Sequence, residues 1–279
     1  MPNRFSEKEA EKLAKLYARA EKDILREYLY ALNRDNQIEY LEAMLNNVSV
    51  IRKGLLEGGR DWCEEAIPRV YSYGLEEANA QLKAISANYM GGYGAIHQQA
   101  VKVLADNAFS RLKDVDNVIG RTTDDLFRRM ALEAVRGSAI GYNSWGQVAR
   151  ILERKLADKG VTGFIDRSGR KWNMKTYTRM VARTTTMEAQ LGGTANRLIE
   201  NGYDIVRISA HSKPCNMCKP FEHKLVSLTG KDVNESGVWG TLDEAREKGL
   251  FHPNCEHSYG LYLDTKKRIQ EFERELAPL

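Results

Sequence analysis

Apolar residues recur at spacings of three and four through much of the first 156 residues, as they do along one face of an α-helix. The clearest stripe consists of Ile38, Leu41, Leu45, Val48, Ile51 and Leu55. Charged residues occupy many of the positions between them. The pattern predicts long amphipathic helices from residue 6 to about residue 156, with apolar faces that form a core.

One glycine-rich segment interrupts this helical pattern. Residues 90–94 read Met-Gly-Gly-Tyr-Gly, and three glycines so close together favour a loop or hinge. After the break we expect helices over residues 95–114, 121–140 and 144–158. Thr122 or Thr123 could cap the second of these helices, and Asn143 or Ser144 could cap the third.

The pattern changes after Lys159, where short apolar segments alternate with turn residues. Residues 160–172 resemble a β-hairpin with a Ser-Gly turn. The remaining elements are a helix over 174–201 ending at Gly202, strands over 205–209 and 259–263, a short helix over 242–248 capped by Thr241, and a charged helix over 264–276.

These elements predict a mainly α protein with a small α+β C-terminal zinc-binding module. We expect the chain to divide into an elongated α-helical scaffold domain over residues 1–158 and an α+β domain over residues 159–279. Its length of 279 residues is sufficient for two such domains.

Composition and charge narrow the function. The chain has 42 basic and 38 acidic residues, a net charge of +4 without any dense basic run, which argues against a dedicated nucleic-acid binder. No apolar run approaches the ~18 residues of a membrane span. The N-terminus is charged from the start and lacks a signal-peptide core. We therefore expect synthesis in a reducing cytoplasm.

The four cysteines carry the chemistry that the sequence indicates most strongly. Cys63 stands alone in a helical pattern and is interpreted as a core residue. Cys215-Asn-Met-Cys218 is a knuckle whose two thiolates can bind one metal ion. A His-Pro-Asn-Cys segment follows after 33 residues and ends at Cys255. Cys-x-x-Cys followed by His-x-x-Cys predicts a structural zinc site.

The fourth zinc ligand is a histidine, and more than one is available. The sequence favours His252, because a His-x-x-Cys turn mirrors the knuckle and Pro253 would stiffen it. His257 lies two residues after Cys255 and points to the same side in an extended chain. The predicted ligands are therefore Cys215, Cys218, His252 and Cys255, with His257 in reserve, while His211 and His223 flank the knuckle.

The catalytic interpretations of this motif lack necessary parts. A zinc nucleobase deaminase needs His-x-Glu upstream, but His97 precedes Gln-Gln and His211 precedes Ser-Lys. A thioredoxin-like dithiol should open a helix, but here Lys219-Pro220 follows. The histidines also lack the spacing of an HNH nuclease. We therefore predict that the protein has no catalytic residues and is not an enzyme.

Residues 160–263 resemble a known family. The matching stretches, in order, are Thr162–Trp172, Tyr177–Thr186, Glu200–Asp204, Ser209–Ser212, Lys224–Gly230 and Asn254–Ser258. They are similar to minor capsid or head morphogenesis proteins of tailed bacteriophages, most of all to the phage minor capsid protein 2 group, and the cysteine–histidine pattern is similar to the related Mu F-like group. Two features depart from that pattern, the Cys215/Cys218 knuckle, which favours zinc, and Glu256, which weakens a nucleic-acid role for its loop.

The resemblance implies a virion component of low copy number, made in the host cytoplasm and located at the portal vertex or the capsid interior. Its expected partners are the portal protein, the major capsid protein or both, and possibly packaged DNA. Two alternatives stay open: a zinc-dependent hydrolase or nuclease, and a DNA-contacting internal protein ejected at infection. The lack of a complete catalytic motif argues against the first, and the small net charge argues against the second.

Overall fold

Four long helices dominate the part of the chain that the computed structural model describes. It describes residues 4–33, 38–85, 89, 91–140, 150, 154, 164–165, 171–172 and 174–264. The long helices are α1 (Arg4–Leu32), α2 (Ile38–Lys83), α3 (Ala95–Ile140) and α4 (Met174–Glu200). Helix α2 continues through Pro68. The mainly α fold class is thus confirmed.

The predicted smaller elements within the described residues are present, and two further strands, over residues 225–227 and 238–241, were not predicted. Strands β1 (Phe164–Ile165) and β2 (Lys171–Trp172) pair antiparallel, as expected for the hairpin. The other strands are β3 (Ile205–Ile208), β4 (Leu225–Ser227), β5 (Val238–Thr241) and β6 (Tyr259–Leu261), and the short helix α5 is Leu242–Glu247. The helices predicted over 144–158 and 264–276 lie almost wholly outside the described residues.

The two helices predicted over 95–114 and 121–140 are a single helix, α3, so the proposed threonine caps are wrong. The Thr122 and Thr123 hydroxyls instead donate to the backbone oxygens of Val118 and Ile119 at 2.9 and 2.8 Å, four residues earlier. Gly120 does not break the helix. An added Cβ there would lie 2.7 Å from the Arg52 guanidinium, so this glycine leaves room for a packed side chain.

The described chain forms two compact units. The helical unit comprises Phe5–Ile67 and Val103–Thr185. Its core includes Tyr17 and Ile24, and some of its buried polar groups are paired. The Tyr28 and Thr123 hydroxyls lie 2.6 Å apart, and Arg52 makes two hydrogen bonds of 2.8 Å to Asp116. Packing and paired charge therefore both hold this unit together.

The sheet unit comprises Met1–Arg4, Pro68–Lys102 and Thr186–Leu279, so it draws on separate parts of the chain. Its four strands lie in the order β5-β4-β3-β6. Strand β3 is antiparallel to β4 and β6, whereas β4 and β5 are parallel. The core combines Ala78 and Leu82 of α2 with Leu198 of α4 and with sheet residues such as Val206 and Tyr259. The predicted division at residue 158 stays a prediction.

Two glycines allow α2 and α4 to approach closely within the sheet unit. A Cβ added at Gly74 would lie 2.0 Å from the Gln190 oxygen, and one at Gly193 would lie 2.2 Å from the Tyr71 oxygen. The Thr194 hydroxyl also donates to the Gly74 oxygen at 3.1 Å. The two backbones are therefore in direct contact, which no residue with a side chain would permit.

A buried polar network holds the glycine-rich turn that precedes α3. His97 is fully buried, with Nδ1 2.9 Å from the Tyr71 hydroxyl and Nε2 2.9 Å from Glu200. Arg197, only 2% exposed, donates to Glu200 at 3.0 Å and to the Gly92 oxygen at 2.6 Å. The turn that sequence patterning identified as a break is thus tied to α4.

Two local structural features fix the start of β3. Gly202 adopts φ +80, and the Tyr203 and Gly202 N–H groups donate to the Leu198 and Ile199 oxygens, which closes α4 as a Schellman motif. Asp204 follows and accepts hydrogen bonds from residues 227–232.

Helix α5 begins as predicted, since Thr241 and Glu244 form a reciprocal capping box. Among the described residues, no helix has an apolar stretch long enough to cross a membrane.

Candidate metal centre

The cysteine knuckle lies in the connection between β3 and β4. The Cys218 N–H donates to the Cys215 oxygen at 3.2 Å and lies 3.4 Å from the Cys215 sulfur. The Lys219 N–H donates to the same oxygen at 3.0 Å, and a 3₁₀ turn follows over Lys219–Phe221. These bonds curl the chain so that both sulfurs face one side.

The second group of donors lies in the connection between α5 and β6. A tight turn is closed by the Cys255 N–H, which donates to the His252 oxygen at 2.9 Å. Asn254 has a positive φ of 64, a conformation that asparagine tolerates better than most residues. Cys255 and His257 then lie on the same side, as the sequence indicated, because the Cys255 sulfur is 3.5 Å from His257 Nδ1.

All five predicted donors converge in two overlapping groups of three. The first group contains Cys215, Cys218 and His252, and the second contains Cys218, Cys255 and His257. Within each group the donor atoms lie within 4.8 Å of one another. Each group could hold a metal ion, and Cys218 belongs to both. Among the described residues, His211 and His223 belong to neither group.

Two of the three short distances between donors resemble those around a bound metal ion, and the third is shorter. The Cys215 sulfur lies 3.0 Å from His252 Nε2, and the Cys218 and Cys255 sulfurs lie 3.5 Å apart. The Cys255 sulfur also lies 3.5 Å from His257 Nδ1. For bond lengths of about 2.3 Å to sulfur and about 2.0 Å to nitrogen, tetrahedral ligands are separated by roughly 3.5 Å. The donor set therefore fits a thiolate- and imidazole-binding metal.

Burial divides the donors into an inner and an outer side. Cys218 is fully buried, and Cys255 and His257 are 9% and 5% exposed. Cys215 lies at the surface and His252 is partly exposed. The inner side belongs to the sheet unit's core, since Cys218 and Cys255 pack with Phe221 and Leu250.

The two knuckle thiols have different acidities. Burial alone would raise the pKa of Cys215, but hydrogen bonds from the Cys218 N–H and the His252 side chain outweigh it and lower that pKa to about 7. Burial and the neighbouring Cys255 sulfur raise the pKa of Cys218 above its ordinary 9.0. Because a metal binds thiolates, loading this site must release protons, above all from Cys218.

Glu222 stands behind one of the histidines, and sequence reasoning missed it. Its Oε1 lies 3.1 Å from His257 Nε2 and accepts the His211 N–H at 2.6 Å. The His211 N–H bond and the His257 side chain are the main causes that lower the pKa of Glu222. Glu222 lies 35 residues from His257 in sequence, so no local motif indicated the pairing.

Comparison with known protein families gives a match over nearly the whole chain. The family model described as phage minor capsid protein 2 matches residues 2–276, which extends well beyond the stretches that carry the resemblance in sequence. No curated protein and no solved structure matches the chain. Because the match includes both the helical region and the candidate metal centre, the chain belongs to the phage minor capsid protein 2 family.

Proposed function

We propose that this protein attaches to the portal or to the inner wall of the phage capsid and holds one structural zinc ion. The family match over residues 2–276 carries the structural role in the virion, and it favours a protein without enzymatic activity. Attachment to the portal, to the major capsid protein or to both is the finer proposal. Its support is that a minor capsid protein must contact other virion components.

The donor chemistry supports zinc. Cysteine thiolates with histidine imidazoles select zinc over magnesium or calcium, which prefer oxygen ligands. We propose that Cys215, Cys218 and Cys255 bind the ion together with one histidine, either His252, which the sequence ranks first, or His257. Three thiolates and one imidazole complete a closed tetrahedron of the structural type.

The surroundings favour a structural over a catalytic ion. A catalytic zinc needs an open coordination position and a general base facing it. Two groups of three donors share Cys218, so five protein donors lie near the centre and could supply the four ligands of a closed site. Glu222 is near the centre, but it contacts the histidine nitrogen on the opposite side of the ring from the one near Cys255. It therefore lies behind the imidazole, where it cannot activate a metal-bound water.

The ion would join two connections of the sheet unit. One runs between β3 and β4 and carries the knuckle, and the other precedes β6. Strands β4 and β6 both pair with β3, but few regular elements stabilise the connections themselves. Structural zinc supplies about 10–16 kcal/mol in small zinc-binding peptides. Zinc would thus hold these loops in one arrangement.

Elemental analysis tests the zinc proposal. Full-length protein purified without chelator should contain about one zinc per chain after dialysis. A Cys218→Ser variant should contain much less, and Cys63→Ser, which changes a buried cysteine of the helical unit, should keep the metal. Protein that lacks zinc, or that contains another metal in its place, would overturn this part of the proposal.

Binding measurements test the proposed location. Tagged full-length protein should co-purify with the portal or major capsid protein expressed beside it, and cryo-EM of intact heads should show its density at the portal vertex or the inner capsid wall. Density on the outer surface, together with failure to bind either protein, would refute the assignment. Hydrolysis of DNA or cell-wall material that Cys218→Ser abolishes would instead favour the enzyme alternative.

A further inference from the structure

We infer that His257 binds the metal through Nδ1 and that Glu222 is the positioning residue that holds it there. The inference rests on the proposed zinc site and deepens it. The sequence ranks His252 first, on motif spacing alone. The structure adds burial and hydrogen bonding, and both favour the other histidine.

The first step concerns the proton on the His257 ring. Its Nε2 lies 3.1 Å from the Glu222 carboxylate, which can only accept a hydrogen bond. In the neutral imidazole, Nε2 therefore carries the proton and Nδ1 keeps a free lone pair. This Nδ1 atom lies 3.5 Å from the Cys255 sulfur. Nδ1 can therefore accept the Cys255 S–H or, once that thiol has lost its proton, bind a cation together with the thiolate.

The second step concerns how firmly Glu222 is held. Its Oε1 also accepts the His211 N–H at 2.6 Å, so the carboxylate is fixed by a backbone group. Glu222 directly follows the 3₁₀ turn over Lys219–Phe221 and is thus four residues from Cys218. The knuckle and the turn that follows it therefore carry two of the thiolates and the group that orients the histidine. Carboxylate–histidine–metal arrangements of this kind are common, and they increase the basicity of the ligand.

His252 has a weaker arrangement. Its Nδ1 lies 2.8 Å from the oxygen of the next residue, Pro253, which leaves Nε2 facing the Cys215 sulfur at 3.0 Å. This partner is a neutral carbonyl within the same turn, so it does not fix the ring relative to the knuckle. The ring is also partly exposed, while His257 is 5% exposed beside buried Cys218 and Cys255. We therefore place His252 at the outer rim, next to Cys215.

NMR of the zinc-loaded, full-length protein tests the assignment directly. Long-range proton–nitrogen correlations, assigned with His257→Ala and His252→Ala, report the protonation of each ring nitrogen. We expect His257 as the Nε2–H tautomer with a metal-bound Nδ1, and His252 without the nitrogen shift of a metal ligand. A metal-bound His252 together with a metal-free His257 would overturn the inference.

Zinc competition with a coloured chelator tests Glu222. Glu222→Leu should weaken zinc binding about 10–100-fold, the usual effect of losing a group that orients a ligand. Glu222→Gln should weaken it less, because the amide oxygen can still accept the Nε2 proton. Glu247→Gln, at an exposed glutamate of α5, is the control and should bind as the unchanged protein does. Unchanged zinc affinity in both Glu222 variants would refute the positioning role.

The two proposals fail in distinguishable ways. If unchanged protein contains no zinc, the metal site itself is refuted and the inference with it. If it contains one zinc, but His252→Ala loses more zinc than His257→Ala, only the inference fails. Should Glu222→Leu not fold, the tautomer measured on the unchanged protein still decides the question.

Discussion

Replacing Asp204 with asparagine should loosen the sheet unit at the start of β3. Asp204 is 6% exposed, and its carboxylate accepts four hydrogen bonds. The donors are the Ser227 hydroxyl, the Thr229 N–H and hydroxyl, both at 2.7 Å, and the Asp232 N–H at 3.0 Å. One side chain thus fixes the turn that follows β4 against the segment that enters β3.

The cost follows from what asparagine cannot do. Its single oxygen can still accept from Thr229, and Ser227 can reverse its hydroxyl, but the Asp232 N–H would face an amide N–H. A buried polar group left without a partner costs about 1–3 kcal/mol, and the charge assistance of the other bonds is also lost. We expect a loss of about 2 kcal/mol, which corresponds to roughly thirtyfold in an opening equilibrium.

Amide hydrogen exchange measures this loss locally. In full-length Asp204→Asn, the amides of β3 and β4 should exchange about thirtyfold faster at neutral pH, as converted above from about 2 kcal/mol. The control is Asp243→Asn, whose side chain is 82% exposed, and which should exchange as the unchanged protein does. Exchange within twofold of the unchanged protein at β3 and β4 would refute the reasoning.

The same residue predicts a pH dependence. Burial raises the pKa of Asp204, but the hydrogen bonds from Ser227, Thr229 and Asp232 outweigh it, so the pKa falls below its ordinary 3.8. The stabilisation is therefore fully present above that ordinary value and is lost as pH falls through the lower folded-state value. Urea denaturation of both proteins should show a difference that is constant from pH 7 to 5 and shrinks below pH 4. A difference that grows on acidification would contradict this sign.

Three further predictions concern other parts of the sheet unit, and one control variant lies in the helical unit. Cys218→Ser should lower the zinc content from about one ion per chain to nearly none, measured by elemental analysis, and should speed proteolysis after β3. Gly193→Ala should lower the unfolding free energy by at least about 1–3 kcal/mol, because its Cβ would lie 2.2 Å from a backbone oxygen of α2. Gly54→Ala, with no atom within 4 Å, should be neutral or stabilising in the same denaturation assay. Thr241→Ala should cost about 1 kcal/mol, measured by amide exchange in α5, through loss of the capping box.

Sequence patterning succeeded where local signals decide the structure. The i, i+3, i+4 stripes predicted the long helices, and Thr241 followed by Glu244 marks a helix start on its own. It failed at Thr122 and Thr123, because a threonine can cap a helix or bond to the preceding turn, and only packing selects between them. Gly120 faces Arg52, which is distant in sequence. The sequence alone therefore could not show that Gly120 lies inside a helix.

The candidate centre shows the same limit. The short spacings between Cys215 and Cys218, and between His252 and Cys255, allowed these residues to be predicted as metal ligands. Glu222 contacts His257 across 35 residues, and the identity of one glutamate among many carries no signal of that contact. The sheet unit likewise includes Pro68–Lys102 because of tertiary packing between α2 and α4, which periodicity within one helix does not encode.

The discontinuous sheet unit has a consequence for synthesis. Gln81 accepts a hydrogen bond from the Leu261 N–H, which lies 180 residues later in the chain. At about 5–20 residues per second, a ribosome needs roughly 10–40 s to synthesise the chain between those two residues. During that time Ala78 and Leu82 lack the apolar partners that later strands provide. A nascent chain of this protein therefore exposes part of its eventual core until the residues around Leu261 have been made, and such exposed apolar surface favours aggregation or binding by chaperones.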